Sequence, residues 1–255
     1  MEEEGSDFEG KVILVTGGAS GLGEAAAGQL AARGARLVVA DVDADRGRAV
    51  IDRIGADGQA IFQPTDVTRE DDVQAAVAAA VDSFGRLDGA INNAGTTGPS
   101  APTADYSLED WNRVVALNLT GVFLGLKYEI PALLEHGGGA IVNTSSGAGL
   151  VGFAGLPAYV ATKHAVIGLT RAAALEYVKS GIRINAVCPG STRTPMLEGF
   201  MGGDPAIERA MAQSAPIGRL ARPDEIAAAM VWLLSDAASF VVGHAFAVDG
   251  GAVVS

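Results

Sequence analysis

Seven short apolar runs alternate with stretches of helical character, and this alternation constrains the fold more than any other feature of the chain. The runs lie at residues 12–16, 37–40, 60–63, 87–92, 140–144, 182–187 and 245–248. Most are continuously apolar instead of alternating with polar residues, so each strand must be covered on both faces. A doubly wound, seven-stranded parallel sheet between two helix layers meets that demand and defines an α/β fold class. The helical patterns occupy 22–33, 44–54, 69–84, 108–134, 158–179 and 223–235. Thr68 with Asp71 and Ser107 with Asp110 supply side-chain oxygens suited to capping the third and fourth helix starts.

Connections up to residue 187 are short and carry no Pro/Ser-rich linker, so residues 8–255 read as a single domain after an acidic segment, 1–7, expected to fray. One long connection departs from this pattern. Residues 189–223 place Met196, Leu197, Phe200, Met201 and Met211 beside Gly199, Gly202 and Gly203, as expected of an apolar, glycine-hinged lid over a site.

Charge narrows the function classes. The 30 acidic residues against 18 basic ones give a net charge of -12, which repels nucleic-acid backbones and anionic membrane surfaces alike. No stretch of 18 consecutive apolar residues occurs, and the acidic start lacks the features of a signal peptide, so a cytoplasmic enzyme with a small-molecule substrate is expected. The single cysteine, Cys188, lies in an apolar stretch and reads as a buried, inert thiol in a reducing compartment. No metal site is expected.

Two groups of residues carry chemistry. The first, Gly17-Gly18-Ala19-Ser20-Gly21-Leu22-Gly23, joins the first strand to the first helix, where a glycine turn admits a pyrophosphate to a helix N-terminus. Its G-x-x-x-G-x-G spacing departs from the usual dinucleotide fingerprint, but Asp41 ends the second strand, where a carboxylate accepts the adenosine ribose hydroxyls. Neither Ser20 nor Val42 is basic, so a 2′-phosphate on that ribose would meet Asp41 uncompensated, and NAD is expected over NADP. Asp66 and Val67 after the third strand suit the adenine, and Asn92, Asn93, Ala94 and Gly95 after the fourth can hold a loop through side-chain hydrogen bonds.

The second group is the reacting end. Tyr159 and Lys163 are four apart in a helical stretch and share one face, which brings an ammonium near a phenol. Ser146 follows the fifth strand and precedes Tyr159 by 13 residues, so its hydroxyl emerges at the carboxyl edge of the sheet. Asn118 is an odd interior helix residue beside Thr120 and Gly121, unless its side chain or a loosened backbone carbonyl holds water.

Taken in order, Thr16-Gly17 with Gly21 and Gly23, Asn92 to Gly95, Asn118, Ser146, Tyr159 with Lys163, and Pro189-Gly190 followed by Thr194 resemble the short-chain dehydrogenase/reductase family over about residues 8–252. The resemblance implies a Rossmann fold and NAD-dependent hydride exchange with a secondary alcohol or ketone. It implies that Tyr159 transfers the proton, with its pKa drawn down by Lys163 and the nicotinamide; that Lys163 also holds the nicotinamide ribose; that Ser146 bonds the substrate oxygen; and that Asn118 anchors a water. Thr194 and the backbone near Thr192 would meet the carboxamide. Ala148, Phe153, Met196 and Phe200, with Leu150, Leu156, Leu197 and Met201, are expected around a hydrophobic or cyclic substrate. Two other readings stay open, a ketoacyl carrier-protein reductase and a catalytically silent dinucleotide-binding scaffold. Asp41 and the net charge weigh against the former, and the joint presence of Ser146, Tyr159 and Lys163 against the latter. A homotetramer is expected, through the helices at 108–134 and 158–179 and through the last strand.

Overall fold

A computed structural model describes residues 7–54 and 58–254. In chain order the elements are β1 (Val12–Thr16), α1 (Gly21–Ala31), β2 (Arg36–Asp41), α2 (Ala44–Ile54), β3 (Ala60–Pro64), α3 (Glu70–Phe84), β4 (Gly89–Asn92), α4 (Leu108–Val115), α5 (Gly121–Glu135), β5 (Gly139–Thr144), α6 (Pro157–Tyr177), β6 (Ile182–Pro189), α7 (Pro195–Met201), α8 (Pro205–Gln213), α9 (Pro223–Leu234) and β7 (Ala245–Val248). The seven strands form one sheet in the order β3-β2-β1-β4-β5-β6-β7, every neighbouring pair parallel.

The reason the strands are apolar throughout is visible in β1. Ile13 and Val15 pack into one core with Leu30 of α1 and Ile226 and Met230 of α9, whereas Val12 and Leu14 enter the opposite core with Ala76 of α3, Leu126 of α5 and Val166 of α6. After β3 the chain returns to the other side of β1, so β1 and β4 diverge at their carboxyl ends. Ligands of open α/β sheets bind in such a crevice.

Three local expectations need correction. The third helix starts at Glu70 with Arg69 as N-cap and no side-chain cap; the Thr68 hydroxyl instead donates to Asp66 (2.7 Å). Ser107 does cap α4, accepting from the Asp110 amide at 3.0 Å. The helix expected at 108–134 carries a π turn, Ala116–Thr120, between α4 and α5, with Asn118 buried at its centre. The 189–223 connection is not an irregular loop: Thr194 and Asp204, each followed by proline, cap α7 and α8, an N-terminal pattern legible in the sequence but missed.

Of the segment expected to fray, residues 1–6 lie outside the described residues, and Asp7 pairs with Arg33 at 3.5 Å. Among the described residues, Leu108–Glu135 is the one helical stretch long and apolar enough to cross a membrane; half of its most apolar window is buried inside the fold, and its Glu129 is fully buried.

Candidate active site

The crevice between β1 and β4 opens into a cavity of about 500 Å³ that continues beneath α7 and α8. Its first end is shaped by the backbone. Gly17 (φ +62°) leaves room where a Cβ would stand 2.9 Å from the Ala94 Cα, and Gly21 (φ +57°) lies under Thr194, the cap of α7. The amide of Asn93 ties the two sides together, donating to the carbonyls of Thr16 (3.2 Å) and Gly17 (3.1 Å), while Thr16 Oγ1 accepts from the Asn93 and Ala94 amides. Ser20 caps α1 without a side-chain bond, so the first amides of that helix, at Gly21 and Leu22, remain available to an anion.

Asp41 and Val42 line this end, and the Asp41 carboxylate is fixed by the amides of Ala19 and Asp43, both at 3.0 Å. Asp66 is held by Thr68 and lies beside Val67 on the same wall. Gly95, Pro189, Gly190 and Thr192 border the middle of the cavity, and the start of α7 at Thr194 closes over it. Gly23 does not line the cavity. It packs α1 onto the turn, because a Cβ there would collide with the Gly17 carbonyl oxygen.

At the second end Ser146, Tyr159 and Lys163 converge. Ser146 Oγ accepts from the Ala148 amide at 3.1 Å, which fixes the hydroxyl at the cavity wall, while the neighbouring Ser145 hydroxyl donates to the Lys163 carbonyl and is spent on α6. Lys163 is buried, its Nζ donating to the Thr144 carbonyl at 2.8 Å and lying 5.6 Å from the Tyr159 ring centroid. Burial lowers the Lys163 pKa to about 8.

Burial raises the Tyr159 phenol above its ordinary value, and the Ser146 hydroxyl acts the opposite way. The Lys163 ammonium, expected to lower the phenol pKa together with the nicotinamide, lies over the ring and is engaged by Thr144.

Asn118 lies behind this wall and not on it. Its side chain brackets Thr96, accepting from that amide and donating to that carbonyl, both at 2.8 Å, and it reaches Thr162 at 3.3 Å. Of the two routes by which it could hold water, the side chain is therefore committed, and the π turn leaves the backbone one.

Ala148, Phe153, Leu156, Met196, Leu197 and Phe200 line the cavity. Leu150 and Met201 do not; Leu150 packs against the Ile167 and Cys188 cluster, and Met201 is buried beneath its helix. The cavity also takes Met211 of the expected lid, and Val151, Asp249 and Val253, which sequence reasoning did not place there. Residues 249–253 follow the last strand and carry no local signal of a site.

A family model described as enoyl-(acyl carrier protein) reductase matches residues 17–253. A 2,5-dichloro-2,5-cyclohexadiene-1,4-diol dehydrogenase of Sphingobium indicum is 49% identical, over 96% of this chain and 98% of its own. This chain is a short-chain dehydrogenase/reductase. This chain is also 46% identical to a cyclohexanol dehydrogenase of Acinetobacter sp., over 95% of each. A 3-ketoacyl-(acyl-carrier-protein) reductase from Brucella melitensis, solved in complex with NADH, superposes with a TM-score of 0.90 at 36% identity, over 96% of this chain and 99% of that one.

The dehydrogenase is thus an oxidoreductase acting on the CH–OH group of secondary alcohols, with a nicotinamide dinucleotide as cofactor. The first end of the cavity suits that group in shape and charge: glycine-cleared backbone, free helix amides, then a fixed carboxylate.

Proposed function

We propose that the dehydrogenase uses NAD(H) and acts on a neutral secondary alcohol or ketone carried on a ring. The observation that carries this reading is the charge of the cavity: among the described residues lining it, Lys163 is the one cation, and the walls beyond it are mostly apolar. Arg193, next to the Thr192 and Thr194 that line the cavity, pairs with Glu208 and does not line it. A carboxylate on the substrate would be buried unpaired, at a cost of several kcal/mol or so. The names of the Sphingobium and Acinetobacter relatives, both ring alcohol dehydrogenases, support the ring.

The nicotinamide, when bound, accepts or supplies the hydride. The protein's residues do the rest. Tyr159 takes the hydroxyl proton in oxidation and returns it in reduction, Ser146 donates to the substrate oxygen as charge gathers there, and Lys163 holds the nicotinamide ribose and keeps positive charge beside the phenol. Asn118 acts through the π turn, its loosened backbone holding a water toward Lys163. Asp41 accepts from the adenosine ribose hydroxyls, and Thr192 and Thr194 meet the carboxamide. The segment with α7 and α8 serves as the lid.

The chain works as a homotetramer in the cytoplasm on this reading. Phe123 on α5, Leu175 on α6 and Phe240 before β7 are large apolar side chains left exposed, and they mark the helix faces and sheet edge that subunits would cover.

The test is NAD+-dependent oxidation of cyclohexanol, a cyclohexanediol and a ring alcohol bearing a carboxylate, beside reduction of a 3-ketoacyl thioester with NADH. The neutral ring alcohols should turn over, and Tyr159→Phe should retain less than about a hundredth of that rate while binding NADH as before. Preference for the acid or for the thioester would overturn the reading.

A further inference from the structure

The segment after β7 turns back into the site, and one carboxylate holds it there. Asp249 Oδ1 accepts from the Gly251 amide and Oδ2 from the Val253 amide, each at 2.9 Å. The turn needs left-handed backbone at Gly250 (φ +64°) and Gly251 (φ +91°), a conformation that side chains rarely adopt. It is braced from two directions. The Ile217 amide, beyond α8, donates to the Gly250 carbonyl at 3.1 Å, and Gly190 at the end of β6 leaves room where a Cβ would stand 2.7 Å from the Asp249 Cα.

The product of this bracing is the position of one side chain. Val253 lines the cavity, and its Cγ1 lies 3.5 Å from where a Gly147 Cβ would be, directly beside Ser146. Gly147 has no side chain to offer the substrate, so Val253 supplies apolar wall to the cavity beside the residue that follows Ser146.

We infer that Val253 is a specificity-determining residue for the ring substrate and that Asp249 is its positioning residue, the clamp that fixes how far this wall stands from Ser146. The inference rests on the ring-alcohol reading above and adds the element that limits ring size. Val253 contacts the substrate and sets which ring fits; Asp249 acts through the backbone of the turn.

Comparing kcat/KM for cyclohexanol with that for the fused bicyclic alcohol decahydro-2-naphthol tests both assignments, with NADH affinity followed by fluorescence. Val253→Ala should shift the ratio at least tenfold toward the bicyclic alcohol, within the range expected for removing small apolar groups from a pocket wall. Val253→Phe should shift it at least tenfold the other way. NADH affinity should stay within twofold in both variants. Asp249→Asn keeps the size of the side chain but lets only one of its two polar atoms accept a bond. It should raise KM for cyclohexanol at least fivefold, with kcat changed less than twofold and NADH affinity held.

Ratios within twofold of the native enzyme in both Val253 variants would overturn the assignment while leaving the ring-alcohol reading intact. An unchanged KM in Asp249→Asn, or a loss of kcat and NADH affinity together, would remove the clamp. A native enzyme that binds NADH but oxidises neither alcohol would overturn the ring-alcohol reading and this inference with it.

Discussion

Replacing Glu129 by glutamine should make the protein more resistant to unfolding at pH 8 and leave it nearly unchanged at pH 4.5. Glu129 sits on α5, fully buried against the end of β4. Its Oε2 accepts from Asn92 Nδ2 at 3.0 Å, and its Oε1 is buried with no partner. The same Asn92 nitrogen reaches Asn143 Oδ1 at 3.0 Å, and Asn143 donates to Thr170 at 3.0 Å, so the carboxyl ends a chain of neutral amides and hydroxyls without a countercharge. Burial raises its pKa from 4.5 to about 7.

A carboxyl whose pKa is raised on folding contributes stability that is complete below the unfolded value. That stability is lost as pH rises through the folded one, because above pH 4.5 the unfolded chain releases a proton that the folded chain retains. The difference of about 2.5 units at 1.36 kcal/mol each gives about 3 kcal/mol lost between pH 4.5 and 8. Glutamine keeps an oxygen to accept from Asn92 and does not titrate, so it escapes that loss.

Urea unfolding of both proteins at pH 4.5, 6 and 8 measures the effect, and the variant's advantage should grow across the series to about 3 kcal/mol, roughly 6–12 °C in Tm for a chain of this size. An advantage that is constant with pH would refute the claim that burial raises the Glu129 pKa.

Three further outcomes follow from particular contacts. Asp41→Ala should raise kcat/KM with NADP+ relative to NAD+ at least tenfold, about 1.4 kcal/mol, by removing the charge that opposes a 2′-phosphate; a native enzyme indifferent between the two cofactors would sink the carboxylate argument. Arg183 on β6 donates to the carbonyls of Leu233, Leu234, Ser235 and Ala238, closing the end of α9, and Arg183→Met should cost about 3–5 kcal/mol in urea unfolding, a loss under about 1 kcal/mol showing that water replaces it. Light scattering at micromolar concentration should give four times the 25.8 kDa chain mass, and a mass near one chain would refute assembly.

The alternation of apolar runs and helices was enough to determine the α/β class, and the uninterrupted hydrophobicity of β1 declared a strand covered twice. Gly17, Gly21 and Asp41 were legible for the same reason: each occupies a turn or strand end whose backbone demand is local. Tyr159 and Lys163 were legible because a helix turns spacing into proximity, and the resemblance of the ordered motifs then supplied their chemistry.

What depended on contacts between distant segments was not legible. The commitment of Asn118 to Thr96, the engagement of Lys163 by Thr144, and the burial that moves both the phenol and the ammonium exist only once β4, β5 and α6 are packed together. Val253 is the plainest case. Nothing in the residues around it marks a binding wall; it becomes one because β7 ends beside β6 at the sheet's carboxyl edge, where Asp249 can fold the following turn onto Gly147. Sequence order carries local backbone preference and periodicity, whereas the cavity's shape and charge come from pairs of residues that only the assembled sheet brings within a few ångströms.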